Sequence, residues 1–173
     1  MTTFLNNVAA EAADPIRSFG FRIWHLKHAW ARHVEAALTS ERLTHMQFVL
    51  LRTIRTLADA GHRPTQTRLS DALATDRMTV SKVLRLLEQK GLLTRPVHPD
   101  DPRAHHVQLT PAGFAVLNRA IPLVLAAQQS FFGRLGARRL TEFSAMLDDL
   151  LSFEGNPLFT SPTSQEAKPS WTE

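Results

Sequence analysis

Thr65-Gln-Thr-Arg-Leu-Ser-Asp-Ala-Leu-Ala-Thr-Asp76 runs directly into Arg77-Met-Thr-Val-Ser-Lys-Val-Leu-Arg-Leu-Leu-Glu-Gln-Lys-Gly91 in the middle third of this 173-residue chain. Thr65 is the residue type that caps a helix start, and Arg68, Leu69, Ala72 and Leu73 follow at helical spacing. A turn at Ala74-Thr75-Asp76 leads into a second helix, Arg77 to Lys90. Its Val80, Val83, Leu84 and Leu87 make one apolar face, and Gly91 ends it. Helices this short are not stable alone, so both must dock on a scaffold. Leu92 to Arg95 and Ala104 to Leu109 then read as antiparallel strands around the tip His98-Pro-Asp-Asp-Pro-Arg103. That tip reads as too long for a two-residue hairpin.

Working outward, the flanks supply the scaffold. Residues 1–13 form a weakly patterned arm expected to be flexible. Asp14-Pro15 is a cap-plus-proline helix start, and Ile16, Phe19, Ile23, Leu26, Trp30, His33 and Ala37 recur at spacings of three and four. The spacing predicts one long N-terminal helix within 14–42, with a narrow stripe that packs on another long helix. Residues 43–110 make the central lobe. It opens with Thr44 and Gln47 as a capping box and Leu43 and Phe48 as a staple; Val49, Leu50, Ile54 and Leu57 are its helix's buried face. Residues 111–154 hold two more helices. The first starts at Thr110-Pro111 and carries Phe114, Leu117, Ile121, Leu125 and Phe132, with Pro122 expected to kink it. The second, Ala137 to Phe153, is expected to bury Leu140, Phe143, Leu147 and Leu150. Residues 155–173, polar with three prolines, read as a disordered tail. The predicted fold is mainly α with a small β-wing, a winged helix-turn-helix carried by long N- and C-terminal dimerisation helices.

Composition excludes several classes. The chain has no cysteine, hence no disulfide, thiolate metal site or thiol redox sensor. Its longest apolar run, Ala120 to Ala127, falls far short of the roughly 20 residues a membrane span needs. The first residues lack a basic n-region, so a cytoplasmic location without a secretory signal is expected. Net charge is only +4, but its distribution is informative. From Arg63 to Arg103, eight basic residues face five acidic ones, a local +3.

That local charge sits where a groove-reading helix would need it. B-DNA's major groove admits one α-helix, and bases are read by side chains near its exposed start. Arg77 can reach guanine bidentately, and Met78 can pack on a thymine methyl. Thr79 and Ser81 suit a base edge or phosphate, while Lys82 and Arg85 suit phosphate. Thr65, Thr67, Arg68 and Arg95 complete the candidate DNA-facing set around this helix. In the tip, Asp101 and Arg103 share one side of an extended segment, so the acid can hold the arginine toward a minor groove. An ordinary charged hairpin is the plainer reading of the tip alone; the two preceding helices favour the functional one.

These residues together resemble the MarR family of bacterial winged-helix regulators. The matching stretches are Thr65 to Leu73, Met78 to Leu93, the Asp101-Pro-Arg103 wing and Leu109-Thr-Pro-Ala-Gly113, with similarity extending from about Trp30 to Phe153. The resemblance implies a homodimer whose first and last two helices interlock on a pseudo-palindromic double-stranded DNA operator. It also implies release by a small ligand, often an aromatic acid or phenol, or by an oxidant. Two departures stand out: the absence of cysteine, which removes thiol sensing, and Met78, where the family commonly has a small polar residue.

Other groups carry less. His25, His28 and His33 do not converge on a helical wheel, and His98, His105 and His106 lie in or beside the wing, so structural or solvated roles fit them better than zinc ligation. No metal or cofactor is expected. Trp24, His28, Trp30 and His33, with His45, Met46 and Val49, could line an apolar pocket for a small aromatic effector, although tryptophan on such a helix is more often dimer core. Asp100-Asp101 and Asp148-Asp149 are adjacent pairs that point apart, Ser81 has no partner base, and no glycine-rich phosphate loop exists, so no enzyme is expected. The expected function is a sequence-specific transcription regulator, a repressor eased off DNA by a small molecule. The alternatives are a metal-responsive regulator of the same fold and a winged-helix protein-interaction adaptor.

Overall fold

The computed structural model describes residues 18–98 and 101–152, with the side chains of residues 98 and 101–104 outside that description. The expected arm, the Asp14-Pro15 helix start and the tail after Ser152 therefore lie outside the described residues, as do Pro99 and Asp100. Helix α1 spans Phe19–Ala37, with Ser18 as its N-cap accepting from the Phe21 N–H at 3.2 Å. The region expected to be one helix to residue 42 instead breaks at Leu38. A 3-10 turn, Thr39–Glu41, follows, and Arg42 adopts a left-handed φ of 53°. The cause is local. The Thr39 hydroxyl folds back onto the Glu35 and Ala36 carbonyls, while Leu38 and Leu43, both buried, pin the turn to the core.

Helix α2, His45–Asp59, starts with the expected capping box: Gln47 N–H to Thr44 Oγ1 at 3.3 Å, and Thr44 N–H to Gln47 Oε1 at 3.2 Å. Leu50, Leu51 and Ile54 are fully buried, making α2 the central core element. Helix α3, Gln66–Ala72, and helix α4, Arg77–Gln89, pack against it through Leu69, Val80, Leu84 and Leu87, each with no exposed surface. The turn between α3 and α4 puts Ala74 at φ 45°, a left-handed conformation that costs a residue with a Cβ roughly 1–2 kcal/mol.

The wing has two short ladders. At its root, β1 (Leu93–Thr94) pairs antiparallel with β4 (Gln108–Leu109), Leu93 opposite Leu109. Nearer the tip, β2 (Val97–His98) pairs with β3 (Asp101–His105). Pro96 separates the ladders because it has no N–H to donate. His98 pairs with Asp101, so only residues 99 and 100 intervene, against the expectation of a longer tip loop. Pro102 does not shorten β3, since both strands of a two-stranded ribbon are edges and a missing donor is tolerated there. The segment before α3 adds a third edge at the root: Thr65 bridges to His106, and the Val107 N–H donates to the Pro64 carbonyl at 2.8 Å.

Helix α5, Pro111–Phe132, runs through Pro122 as one continuous helix. Thr110 organises its start, accepting from the Gly113 N–H at 3.0 Å and donating to the Gly91 carbonyl at 2.7 Å. Gly113 is required there, because a Cβ at that position would stand 1.9 Å from the Leu92 carbonyl oxygen. After a second 3-10 turn, Gly133–Leu135, helix α6 spans Ala137–Ser152. Its expected burial does not occur within one chain. No residue of α6 is buried, and Leu150 is 61% exposed. Phe143 stacks on Phe132 at 6.2 Å, but among the described residues nothing covers Leu147 and Leu150.

Candidate nucleic-acid interface

The leading end of α4 is built to project. Asp76 caps it, accepting from the Thr79 N–H at 2.8 Å. The Thr79 hydroxyl and backbone N–H together hold the Asp76 carboxyl below its usual pKa range, so the cap stays ionised well into acid. With Val80, Leu84 and Leu87 turned into the core, the opposite side faces solvent: Arg77, Met78, Thr79, Lys82 and Arg85 are all exposed. Met78 is 76% exposed, too much for a core role. Ser81 is half-buried, with the Arg85 guanidinium 3.5 Å from its hydroxyl.

Helix α3 presents Thr67 and Arg68 to solvent, while Thr65 is half-buried as the cap that accepts from the Arg68 N–H at 3.3 Å. Gln66 joins the two helices by donating from Nε2 to the Arg77 carbonyl at 3.3 Å. This positions the first residue of α4, a role that spacing in the sequence did not suggest. A concavity of about 580 Å³ opens between α3, the far end of α4 and the wing, lined by Thr65, Thr67, Glu88 and Arg95 among others. Arg95 is held there by Glu88, Nε at 3.0 Å and Nη2 at 2.5 Å from one carboxylate oxygen. An arginine so paired contacts a phosphate only by sharing or leaving its acid. The side chains of Asp101 and Arg103 lie outside the described residues.

Lys90 is a second residue whose role the sequence concealed. It is one of the eight basic residues counted between Arg63 and Arg103, and it reaches back to the scaffold. Its Nζ donates to the Arg42 carbonyl at 2.7 Å and to Gln47 Oε1 at 2.9 Å. The far end of α4 is thereby tied to the capping box of α2 and to the left-handed turn after α1. A bidentate pair from Arg119 of α5 to Glu41, Nη2 at 2.9 Å, fixes that same turn from the other side and raises the arginine's pKa.

The seven residues offered as an effector pocket fall into two groups. Trp30 packs against Phe131 at 5.5 Å and Phe132 at 5.2 Å, with His33 and His45 in ring contact and Met46 and Val49 half-buried against the core. Trp24 and His28 are in tilted ring contact at 4.1 Å nearer the start of α1, where Trp24 is 53% exposed. Phe131 and Phe132, which complete the ring cluster, are contributed by α5 and were missed; the adjacent Phe-Phe pair was the available signal. Burial lowers the His45 pKa from 6.5, with Lys27 reinforcing and Glu35 opposing the shift.

The MarR family profile matches residues 43–105, the lobe just described. The HTH-type transcriptional regulator YdcH of Bacillus subtilis (strain 168) is 36% identical over 142 residues, covering 82% of this chain and 95% of that protein. The chain belongs to the MarR family. It is a DNA-binding transcriptional regulator of winged-helix fold and not an enzyme. Among solved structures it is similar to a mutant of Escherichia coli MarR complexed with operator DNA. That match has a TM-score of 0.71 and 25% identity, covering 82% of this chain and 96% of that one. Bordetella bronchiseptica BpsR, whose DNA binding is regulated by 6-hydroxynicotinic acid, shares the fold at TM-score 0.70 and 24% identity, over 78% of this chain and 94% of its own. Among the described residues no helix is long and apolar enough to cross a membrane.

Proposed function

We infer that this MarR-family protein works as a cytoplasmic homodimer. It binds a pseudo-palindromic operator, represses transcription there and is released by a small aromatic or phenolic effector. The observation that carries the DNA-reading part is the division of α4. Three of its side chains are fully buried, while Arg77, Met78 and Lys82 stand in solvent at the end where a groove-reading helix meets bases. The dimer is supported by apolar surface that one chain leaves uncovered: Phe19 at 58%, Ile23 at 61% and Leu150 at 61% exposure, on the first and last helices. The ring cluster of Trp30, His33, His45, Phe131 and Phe132 supports an aromatic effector, since it lies between α1, α2 and α5, where the lobe meets the long helices. Arg103, in the wing, is proposed for the minor groove.

Selection of bound fragments from genomic DNA, followed by footprinting, tests the operator reading; a pseudo-palindromic footprint is expected. Affinity for the selected site should fall steeply as salt rises, because several phosphates are neutralised. Binding that ignores both sequence and salt would overturn the DNA reading in favour of a protein-interaction adaptor.

A further inference from the structure

We propose that Lys90 is a positioning residue for DNA recognition. Together with Glu41 and Arg119 it fixes the placement of α4 relative to the long helices, and so sets which half-site spacing a dimer accepts. The spacing itself rests on the homodimer reading above.

Two attachments from remote parts of the chain converge on the turn after α1. Thr39–Glu41 and the left-handed Arg42, at φ 53°, form that turn between α1 and α2. From the end of α4, the Lys90 Nζ donates to the Arg42 carbonyl at 2.7 Å and to Gln47 Oε1 at 2.9 Å. From α5, Arg119 donates to both Glu41 oxygens, Nε to Oε1 at 3.2 Å and Nη2 to Oε2 at 2.9 Å. The acceptors are fixed points. Gln47 is 5% exposed and its Oε1 also accepts from the Thr44 N–H, while the Glu41 side chain is 13% exposed. A non-glycine residue in the left-handed region persists only where its surroundings hold it, and Arg42 is the residue that Lys90 bonds.

Val80, Leu84 and Leu87 keep α4 on the core, but apolar burial is non-directional and tolerates small sliding of packed helices. An ammonium bonded to two fixed acceptors is directional. Its contribution to folding is small, since Lys90 is exposed and water competes for the same bonds. What it adds is position. Helix α1 leads into the turn and carries the stripe proposed for the seam between copies, and α5 grips the turn through Arg119. The turn therefore stands between the seam and each α4. A dimer reads half-sites only at the spacing its two recognition helices present.

The test uses the full chain and the operator it selects from genomic DNA, remade with its half-sites one base pair closer or farther apart. In Lys90→Met, discrimination against the altered spacings should fall about threefold, through weaker binding to the preferred one as preorganisation is lost. The urea midpoint and the salt slope should stay parental, Lys90→Arg should restore the discrimination, and Arg119→Gln should relax it in the same sense. Parental discrimination in Lys90→Met would overturn the proposal, as would a salt slope reduced by about 1, the mark of a direct phosphate contact. A second measurement needs no DNA. The chain has no cysteine, so Met78→Cys takes a single spin label per copy. Adding Lys90→Met should make the distribution of label-to-label distances in the dimer about twofold wider, as sliding of α4 is released; equal widths would overturn the proposal. A monomeric parent, or one that selects single half-sites, would overturn the homodimer reading and the proposed role together, whereas the preceding outcomes leave that reading standing.

Discussion

The central lobe and the long helices follow opposite rules of burial. In the lobe, Leu69, Val80, Leu84 and Leu87 are wholly covered by their own chain; on α1, Ile23 is 61% exposed, and on α6 Leu150 is equally bare. Both regions are amphipathic with similar helical spacing, so pattern alone does not separate them. What separates them is whether the covering surface belongs to the same polypeptide. The lobe is finished within one chain. The helices that carry it present apolar stripes of the kind a second copy would cover.

That contrast can be broken. The largest effect is expected from Ile23→Asp, which would put a charge in the proposed intersubunit seam. Dimer affinity should fall about a hundredfold or more, roughly 3 kcal/mol, read by sedimentation. The lobe should stay folded, and a lobe that unfolded with it would abolish the distinction. Gly113→Ala acts on the other region, driving a Cβ into the Leu92 carbonyl. A loss of about 2 kcal/mol in urea denaturation is expected, from a position buried within its own chain.

Next in size are the residues proposed to read DNA. Arg77→Ala should cost about 1.5 kcal/mol on the specific site and relax preference at one base pair. Lys82→Ala should weaken all sequences evenly and reduce the salt slope by about 1. Parental binding by both would misplace the helix that reads DNA. The smallest effect lies where the two regions meet. His45 resists protonation when folded, so the folded state binds fewer protons than the unfolded one. Stability should be intact above pH 6.5 and decline as pH falls from there through the lowered folded value. In His45→Gln that slope should shrink; an unchanged slope would assign the acid sensitivity elsewhere.

Much of the fold was legible because its signals are local. Thr44 with Gln47, Thr65 ahead of Arg68 and Thr110 ahead of Gly113 each lie three residues from the N–H they cap. The exposed face of α4 was legible for the same reason, from its period. Contacts that span the sequence were not. Lys90 meets Gln47 across 43 positions and Arg42 across 48, so one of the basic residues counted between Arg63 and Arg103 holds the scaffold. Arg95 looked like a free cation until Glu88, seven residues earlier, was found beside it. The break at Leu38 was hidden because it depends on two buried leucines and a threonine hydroxyl acting together. Helix α6 is a different case: an apolar stripe does not record whose surface it meets, and one chain leaves it bare.

The Lys90 attachment has a mechanical corollary. Helix α4 is 13 residues long, about 20 Å at 1.5 Å per residue, and is fastened to the scaffold at the end remote from Arg77. Such a lever magnifies small rotations. A tilt of about 6° at the lysine swings the arginine end by about 2 Å, enough to take a bidentate base contact out of hydrogen-bonding range.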